Sequence, residues 1–258
     1  MLVSTTELQN NFGKYLKLCE SRSIVITKNG KKRALLLAIP PSANGYETAE
    51  SDYSYGSAAH APNPVTYREY LRLIEESGER YELIDGEVFL MSAPGVTHQR
   101  VLGRLFLWFN GVFIPGQPCE VFMSPFDTFL YRRPLREERD LTEDDTNVVQ
   151  PDLLVLCDHA DRIDDKDRYT GTPTLVVEII SPSTRSNDKV RKLDLYMESG
   201  IEEYWTVDPK THGIAVYRFS DYLLEDDALY TTGQTARSFR FPQLSVPVDA
   251  VFRDARSK

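Results

Sequence analysis

The chain has 258 residues, 41% of them hydrophobic and 11% aromatic, which supports a packed core and excludes wholesale disorder. No stretch approaches the ~18 uninterrupted apolar residues of a membrane span, and MLVSTTELQNNFGKY lacks the basic-then-apolar pattern of a secretory signal. The net charge of −9 speaks against nucleic acid, yet residues 1–46 carry seven Lys/Arg against two acids, net +5, which leaves 23 basic and 37 acidic residues, net −14, for the remainder.

A basic head on an acidic body points to two parts with different partners. Cys19, Cys119 and Cys157 are odd in number, widely spaced and form no C-x-x-C pair. Reduced thiols in a cytoplasmic protein are therefore expected, with neither a disulfide framework nor a zinc site.

In the head, Ser4 or Thr5 is placed to cap a helix, with Glu7 positioned to close the box with Ser4. Leu8, Phe12, Tyr15, Leu16 and Cys19 recur at helical spacing and supply one apolar face. Ile24–Thr27 reads as a strand, Lys28–Lys31 as a turn centred on Asn29-Gly30, and Ala34–Ile39 as a second strand. A unit this small rarely supports itself, so dimerisation is expected. Ser4-Thr5-Thr6-Glu7-Leu8, Asn11, Tyr15-Leu16 and the run Ile24 to Lys31 resemble the N-terminal part of the Phd/YefM antitoxin family, over residues 1–40. That resemblance implies a dimerising, operator-binding unit. The toxin-binding tail of such antitoxins has no counterpart, so a toxin partner is possible but unsupported. Lys28, Lys31, Lys32 and Arg33 cluster around the hairpin and are candidates for DNA phosphates, against a purely solubilising role.

Residues 41–63 contain no Leu, Ile, Val, Phe, Met, Lys or Arg and read as a linker. The body, 64–220, opens with a helix over Thr66–Ser77 stopped by Gly78. A hairpin follows, Arg80–Ile84 and Glu87–Met91 around Asp85-Gly86. Thr97–Val112 is a helix whose Val101, Leu102, Leu105, Phe106, Trp108 and Phe109 are core candidates. Glu120–Tyr131 is rich in strand, and 136–146 is a solvated charge run. Pro151–Cys157 and Thr174–Ile180 are apolar strands, Asp188–Ser199 is a helix ended by Gly200, and Glu203–Val207 and Gly213–Phe219 are strands. Residues 221–258 form a C-terminal extension whose clear apolar anchors are Phe239, Phe241 and Leu244. Apolar strands among helices predict a mixed α/β (α+β) sheet flanked by helices.

Two carboxylates interrupt apolar strands: Asp152 opens Leu-Leu-Val-Leu, and Glu178 sits between Leu175-Val176-Val177 and Ile179-Ile180. Such placement is costly unless the carboxylate meets a cation or donors. If the strands are neighbours, both acids reach one hard cation, magnesium or manganese, and a nearby lysine completes a site for phosphodiester hydrolysis. Pro151-Asp152 with Glu178 resembles the PD-(D/E)-x-K nuclease signature, although Ile180 stands where the lysine is usual. The run Glu178 to Thr184, with Asp188, Lys192, Tyr196, Gly200 and Glu203 to Pro209, is similar to the Uma-type restriction endonuclease family over residues 64–220. There the lysine migrates to the following helix, and Lys192 holds the matching position. The resemblance implies a restriction-endonuclease-like fold, and it adds His98, at the start of the Thr97 helix, as a candidate.

Glu82, between apolar neighbours in its strand, is a further candidate carboxylate or a plain hairpin charge. Asp188 is a candidate on the lysine's helix, but Asp188 and Lys192, four apart, also fit a solvated pair, since Val190, Leu193 and Met197 point the other way. Tyr196 reads as packing, and Trp205 and Asp208-Pro209 as a strand and its stop. The combined expectation is a homodimeric, Mg2+- or Mn2+-dependent endodeoxyribonuclease with a DNA-binding head. Its rivals are a non-catalytic DNA-binding repressor built on an inactive nuclease fold, and RNA or nucleotide processing at the same site.

Overall fold

A computed structural model describes residues 1–19, 24–28, 31–36, 64–133, 139–181 and 191–253. The chain divides into two units, Met1–Tyr55 with Asp227–Leu229, and Gly56–Asp226 with Tyr230–Lys258. The linker expected at 41–63 lies outside the described residues.

In the first unit, β1 (Leu2–Ser4), α1 (Thr5–Asn10), α2 (Phe12–Cys19), β2 (Ile24–Lys28) and β3 (Lys31–Leu36) follow in order. The strands form one sheet, β1-β2-β3, with β1 parallel and β3 antiparallel to β2. Lys28 pairs with Lys31, and the turn expected at Asn29-Gly30 lies outside the described residues. Ser4 Oγ accepts from Glu7 N at 3.1 Å. The Glu7 carboxylate takes Asn11 Nδ2 and the Tyr15 hydroxyl instead of closing the box. Val3, Tyr15, Cys19 and Ile24 form a small core. Phe12 and Leu16, expected on the apolar face, are exposed. The cause is Asn11, whose φ of −135° ends α1 and resets the helical register before Phe12.

Along the rest of the chain follow α3 (Tyr67–Ser77), β4 (Tyr81–Ile84), β5 (Glu87–Leu90), α4 (Val96–Asn110), β6 (Glu120–Met123), β7 (Thr128–Leu130), β8 (Asn147–Val149), β9 (Leu153–Leu156), β10 (Leu175–Ile179), α5 (Lys192–Glu198), β11 (Glu203–Asp208), β12 (Gly213–Ser220), β13 (Leu223–Tyr230), β14 (Thr235–Arg237), β15 (Ser245–Pro247) and α6 (Val248–Phe252), all in the second unit apart from Asp227–Leu229 of β13. A six-stranded sheet runs β13-β12-β11-β10-β9-β6, and a four-stranded sheet runs β5-β4-β8-β7. The β10–β11 pair is parallel, whereas β6–β9, β9–β10 and β11–β12 are antiparallel, so the sheet is mixed as expected.

Local chemistry accounts for the first elements. Thr66 and Glu69 form a complete capping box on α3, and Gly78 ends it at φ 67°. Asp85 and Gly86, both at positive φ, make the two-residue turn of the β4–β5 hairpin. The chain passes between the sheets through α4, from β5 to β6, and by two shorter connections. β6 leads to β7 through Ser124-Pro125, a cis peptide, and β8 leads to β9 through Gln150-Pro151-Asp152. The two crossings are joined where Ser124 N donates to the Asp152 carbonyl at 3.2 Å.

Val101, Leu102, Leu105 and Phe109 of α4 pack on alternate residues of β9 to β12. Trp108, expected in this core, is 40% exposed, because the buried stripe of α4 runs through 101, 102, 105 and 109. The C-terminal segment supplies Ala236, Phe241, Leu244, Val246, Val248, Val251 and Phe252 to the same cluster, well beyond its three expected anchors.

Two further expectations are corrected. Cys119 and Cys157 form a disulfide, so the reduced-thiol reading fails for them. They flank β6 and β9, where Glu120 faces Leu156, and the register carried one step outward sets the two cysteines opposite each other. Cys19 alone is free. The described part of the 136–146 run is also structured. Arg139 and Thr142 both hold the Asp145 carboxylate, and Asp144 Oδ1 accepts from Tyr67 N at the start of α3. No described helix is long and apolar enough to cross a membrane.

Candidate active site

The antiparallel β9–β10 register pairs Leu153 with Val177, and one step further sets Asp152 opposite Glu178. Such a cross-strand pair brings side chains on one face to within about 5 Å at Cβ. Ile179 N donates to Asp152 Oδ2 at 2.8 Å, which ties this carboxylate to the backbone beside Glu178. His98, in the first turn of α4, places Nε2 3.1 Å from the same Oδ2. Among the described residues nothing donates to Asp152 Oδ1 or bonds the buried His98 Nδ1.

Glu178 Oε1 accepts from Lys192 Nζ at 2.8 Å and from the Tyr196 hydroxyl at 2.6 Å. Lys192 opens α5, and Tyr196 lies one turn later on the same helix face. Lys192 Nζ also donates to Glu82 Oε1 at 2.8 Å, so the ammonium bridges the small sheet to the large one. Glu82 Oε1 accepts in addition from Gln150 N at 2.9 Å. The lysine side chain is 4% exposed, and those of Glu82 and Glu178 are 8% and 6%.

The helix that carries Lys192 is fixed by charge. Arg132, after β7, donates to Asp85 in the hairpin turn and to Asp194 and Glu198 of α5. Burial pulls the Arg132 guanidinium down, but the Asp85 and Glu198 carboxylates outweigh it and hold Arg132 firmly protonated. Arg191 pairs with Glu87 of the same hairpin. Arg80 holds the Gln150 side chain through Nε at 2.8 Å, and Gln150 Nε2 donates to Asp127 at 2.7 Å.

The structure thus gathers Asp152, Glu178, Lys192, Glu82 and His98. Asp188 lies outside the described residues. Lys28 ends β2 in the first unit, and Lys31, Lys32 and Arg33 lie on β3, their side chains outside the described set. Lys192 is not on a solvated face as its pairing with Asp188 allowed: it is buried with Leu195 and Tyr196. Tyr196, read as packing alone, also holds Glu178, and its position four after Lys192 was the available signal. Arg80 and Gln150 were missed, although Gln150 directly precedes Pro151-Asp152.

Among the described residues, Asp152, Glu178 and Glu82 stand against the Lys192 ammonium, a formal excess of two negative charges that one divalent cation fits. Among the described residues no three His, Cys, Asp or Glu side chains converge to hold a metal by themselves. A magnesium-type site needs only one or two carboxylates, with water and substrate completing the shell. Asp152 and Glu178 suit that donor set.

The architecture is that of a nuclease-like fold. The crystal structure described as "a putative nuclease belonging to DUF820" from Anabaena variabilis matches with a TM-score of 0.55 at 21% identity, over 73% of this chain and 98% of that one. Residues 67–249 match the Uma2 family, described as "Putative restriction endonuclease", and the chain belongs to that family. Two uncharacterized proteins of Synechocystis sp. are similar. One, slr1290, is 27% identical and covers 76% of this chain and 97% of its own. The other, sll1609, is 23% identical and covers 60% and 80%.

Proposed function

We propose that the protein is a divalent-metal-dependent endonuclease that hydrolyses DNA phosphodiester bonds, with Asp152 and Glu178 holding Mg2+ or Mn2+. The observation that supports it is the opposition of two strand-borne carboxylates with a buried lysine 2.8 Å from one of them. The bound ion would act as a Lewis acid on the phosphodiester and supply activated water. His98 and Ile179 N fix one Asp152 oxygen and leave Oδ1 to the site. The Tyr196 hydroxyl holds Glu178 through Oε1. Lys192, released from Glu178 toward substrate, orients the attacking water and offsets the charge that builds on the phosphoryl oxygens. The basic N-terminal unit, as a dimerising antitoxin-like segment, delivers DNA through Lys28, Lys31, Lys32 and Arg33.

Plasmid nicking by the purified protein tests this reading. Cleavage is expected with Mg2+ or Mn2+ and absent with EDTA. Asp152→Ala, Glu178→Ala and Lys192→Ala are each expected to lower it by at least about 100-fold, as loss of one electrostatic partner does. Operator binding by a wild-type protein that never cuts would favour the repressor reading, whose motivating feature is Ile180 in the usual lysine position.

A further inference from the structure

We infer that Glu82 is the positioning residue of Lys192 and stands outside the metal-binding pair, an inference that rests on the nuclease reading above. Its carboxylate sits on the small sheet, whereas Asp152 and Glu178 oppose each other on the large one. Its hydrogen bonds run to Lys192 Nζ and Gln150 N, both on Oε1, and none joins it to Asp152, His98 or Ile179 N.

Charge bookkeeping leads to the same assignment. A lysine that is 4% exposed needs a permanent counter-ion. If Glu178 gives its charge to a metal, Glu82, 2.8 Å from Lys192 Nζ, stays with the lysine as a counter-ion. Glu82 with Lys192 is then a neutral pair, and Asp152 with Glu178 keeps the two negative charges that match one divalent ion. The hairpin is built for this task. Glu82 lies three residues before Asp85, and Asp85 grips Arg132, which grips Asp194 and Glu198 of the helix that begins with Lys192. Glu87 of the same hairpin pairs with Arg191. One hairpin therefore fixes both the lysine and the helix under it. Arg80 and Asp127 hold the Gln150 side chain, which steadies the backbone N–H on the other side of Glu82.

Glu82→Gln keeps the shape and the acceptor for Gln150 N while removing the charge. The test compares full-length wild type, Glu82→Gln, Glu178→Gln, Lys192→Met and the Glu82→Gln/Lys192→Met double variant. Calorimetric titration with Mn2+ should leave the Kd of Glu82→Gln within about threefold of wild type, whereas Glu178→Gln should weaken it by at least about 30-fold. Cleavage at saturating Mn2+ should fall at least about tenfold in Glu82→Gln, with the half-saturating Mn2+ concentration unchanged. Denaturant unfolding without metal should be non-additive, the double variant no less stable than Glu82→Gln alone. Mn2+ affinity lost in Glu82→Gln as in Glu178→Gln would make Glu82 a ligand and overturn the assignment, as would additive unfolding costs. Wild-type protein that binds no Mn2+ would sink the nuclease reading, and the metal-free unfolding cycle would still decide whether Glu82 mounts Lys192.

Discussion

Tyr196 shows how one atom changes the meaning of a residue. Its ring is fully buried and meets Tyr204 edge-on with centroids 5.0 Å apart, which is packing. Its hydroxyl also donates to Glu178 at 2.6 Å, the length of a charge-assisted bond. Tyr196→Phe keeps the ring contact and removes the donor. A hydrogen bond to a buried charge contributes about 1.5–3 kcal/mol, so this variant should unfold at lower denaturant with that loss and an unchanged m-value. Loss below about 0.5 kcal/mol would mean that Glu178 does not depend on the hydroxyl. The carboxylates themselves were legible because charge inside an apolar strand needs a reason. The tyrosine was not, because a tyrosine in a helix needs none.

At the scale of elements, the short-range chemistry was readable and the pairing was not. The capped ends of α3 and the Asp85-Gly86 turn follow from a few neighbouring residues. The passage of β8 into β9, which changes sheets across Gln150-Pro151-Asp152, depends on partners up to 70 residues away, and so does the Cys119–Cys157 bridge. The charge run 136–146 differs from its reading, in its described part, for a related reason: charge composition alone does not show that Arg139 and Thr142 enclose Asp145. The Arg139 guanidinium, ahead of the Thr142 donors, holds the Asp145 carboxyl well below the usual range. A depressed carboxylate pKa contributes stability that is present above the unfolded value, near about 3.9, and is lost as pH falls through the folded one. Asp145→Asn should therefore cost about 1–2 kcal/mol at pH 7, discounted because Arg139 is half exposed, and the gap to wild type should start to narrow below about pH 4 and go on narrowing toward the folded value. Urea midpoints measured in steps from pH 7 down to about pH 2 decide it; a gap that does not narrow at all over that range would assign the loss to the cap geometry and not to the charge.

At the scale of the molecule, the C-terminal residues matter most to how the chain is divided. The sequence bounds the nuclease-like domain at 220 and makes 221–258 its C-terminal extension, in which Phe239, Phe241 and Leu244 are the clear apolar anchors. Those anchors belong to a closing layer. Phe241 meets Phe113 edge-on at 4.9 Å, and Leu244, Val246, Val248 and Val251 all lie in the cluster that covers α4 and the sheet. Glu203 of β11 anchors the layer, accepting from Phe239 N and Arg240 N at 2.7 Å each. The match to the Uma2 family, which ends at residue 249, covers the same stretch. If this layer is core, truncating one of its side chains must open a cavity in the middle of the domain. Leu244 is 1% exposed, so Leu244→Ala should cost about 2–5 kcal/mol, the range for a buried leucine. Leu223, on β13 and 42% exposed, is the control, and Leu223→Ala should stay within about 0.5 kcal/mol. Equal, small losses for both would return residues 221–258 to the status of an appendage. A large loss confined to Leu244 would place the last strands and α6 inside the cooperative unit that holds Asp152 and Glu178 opposite each other.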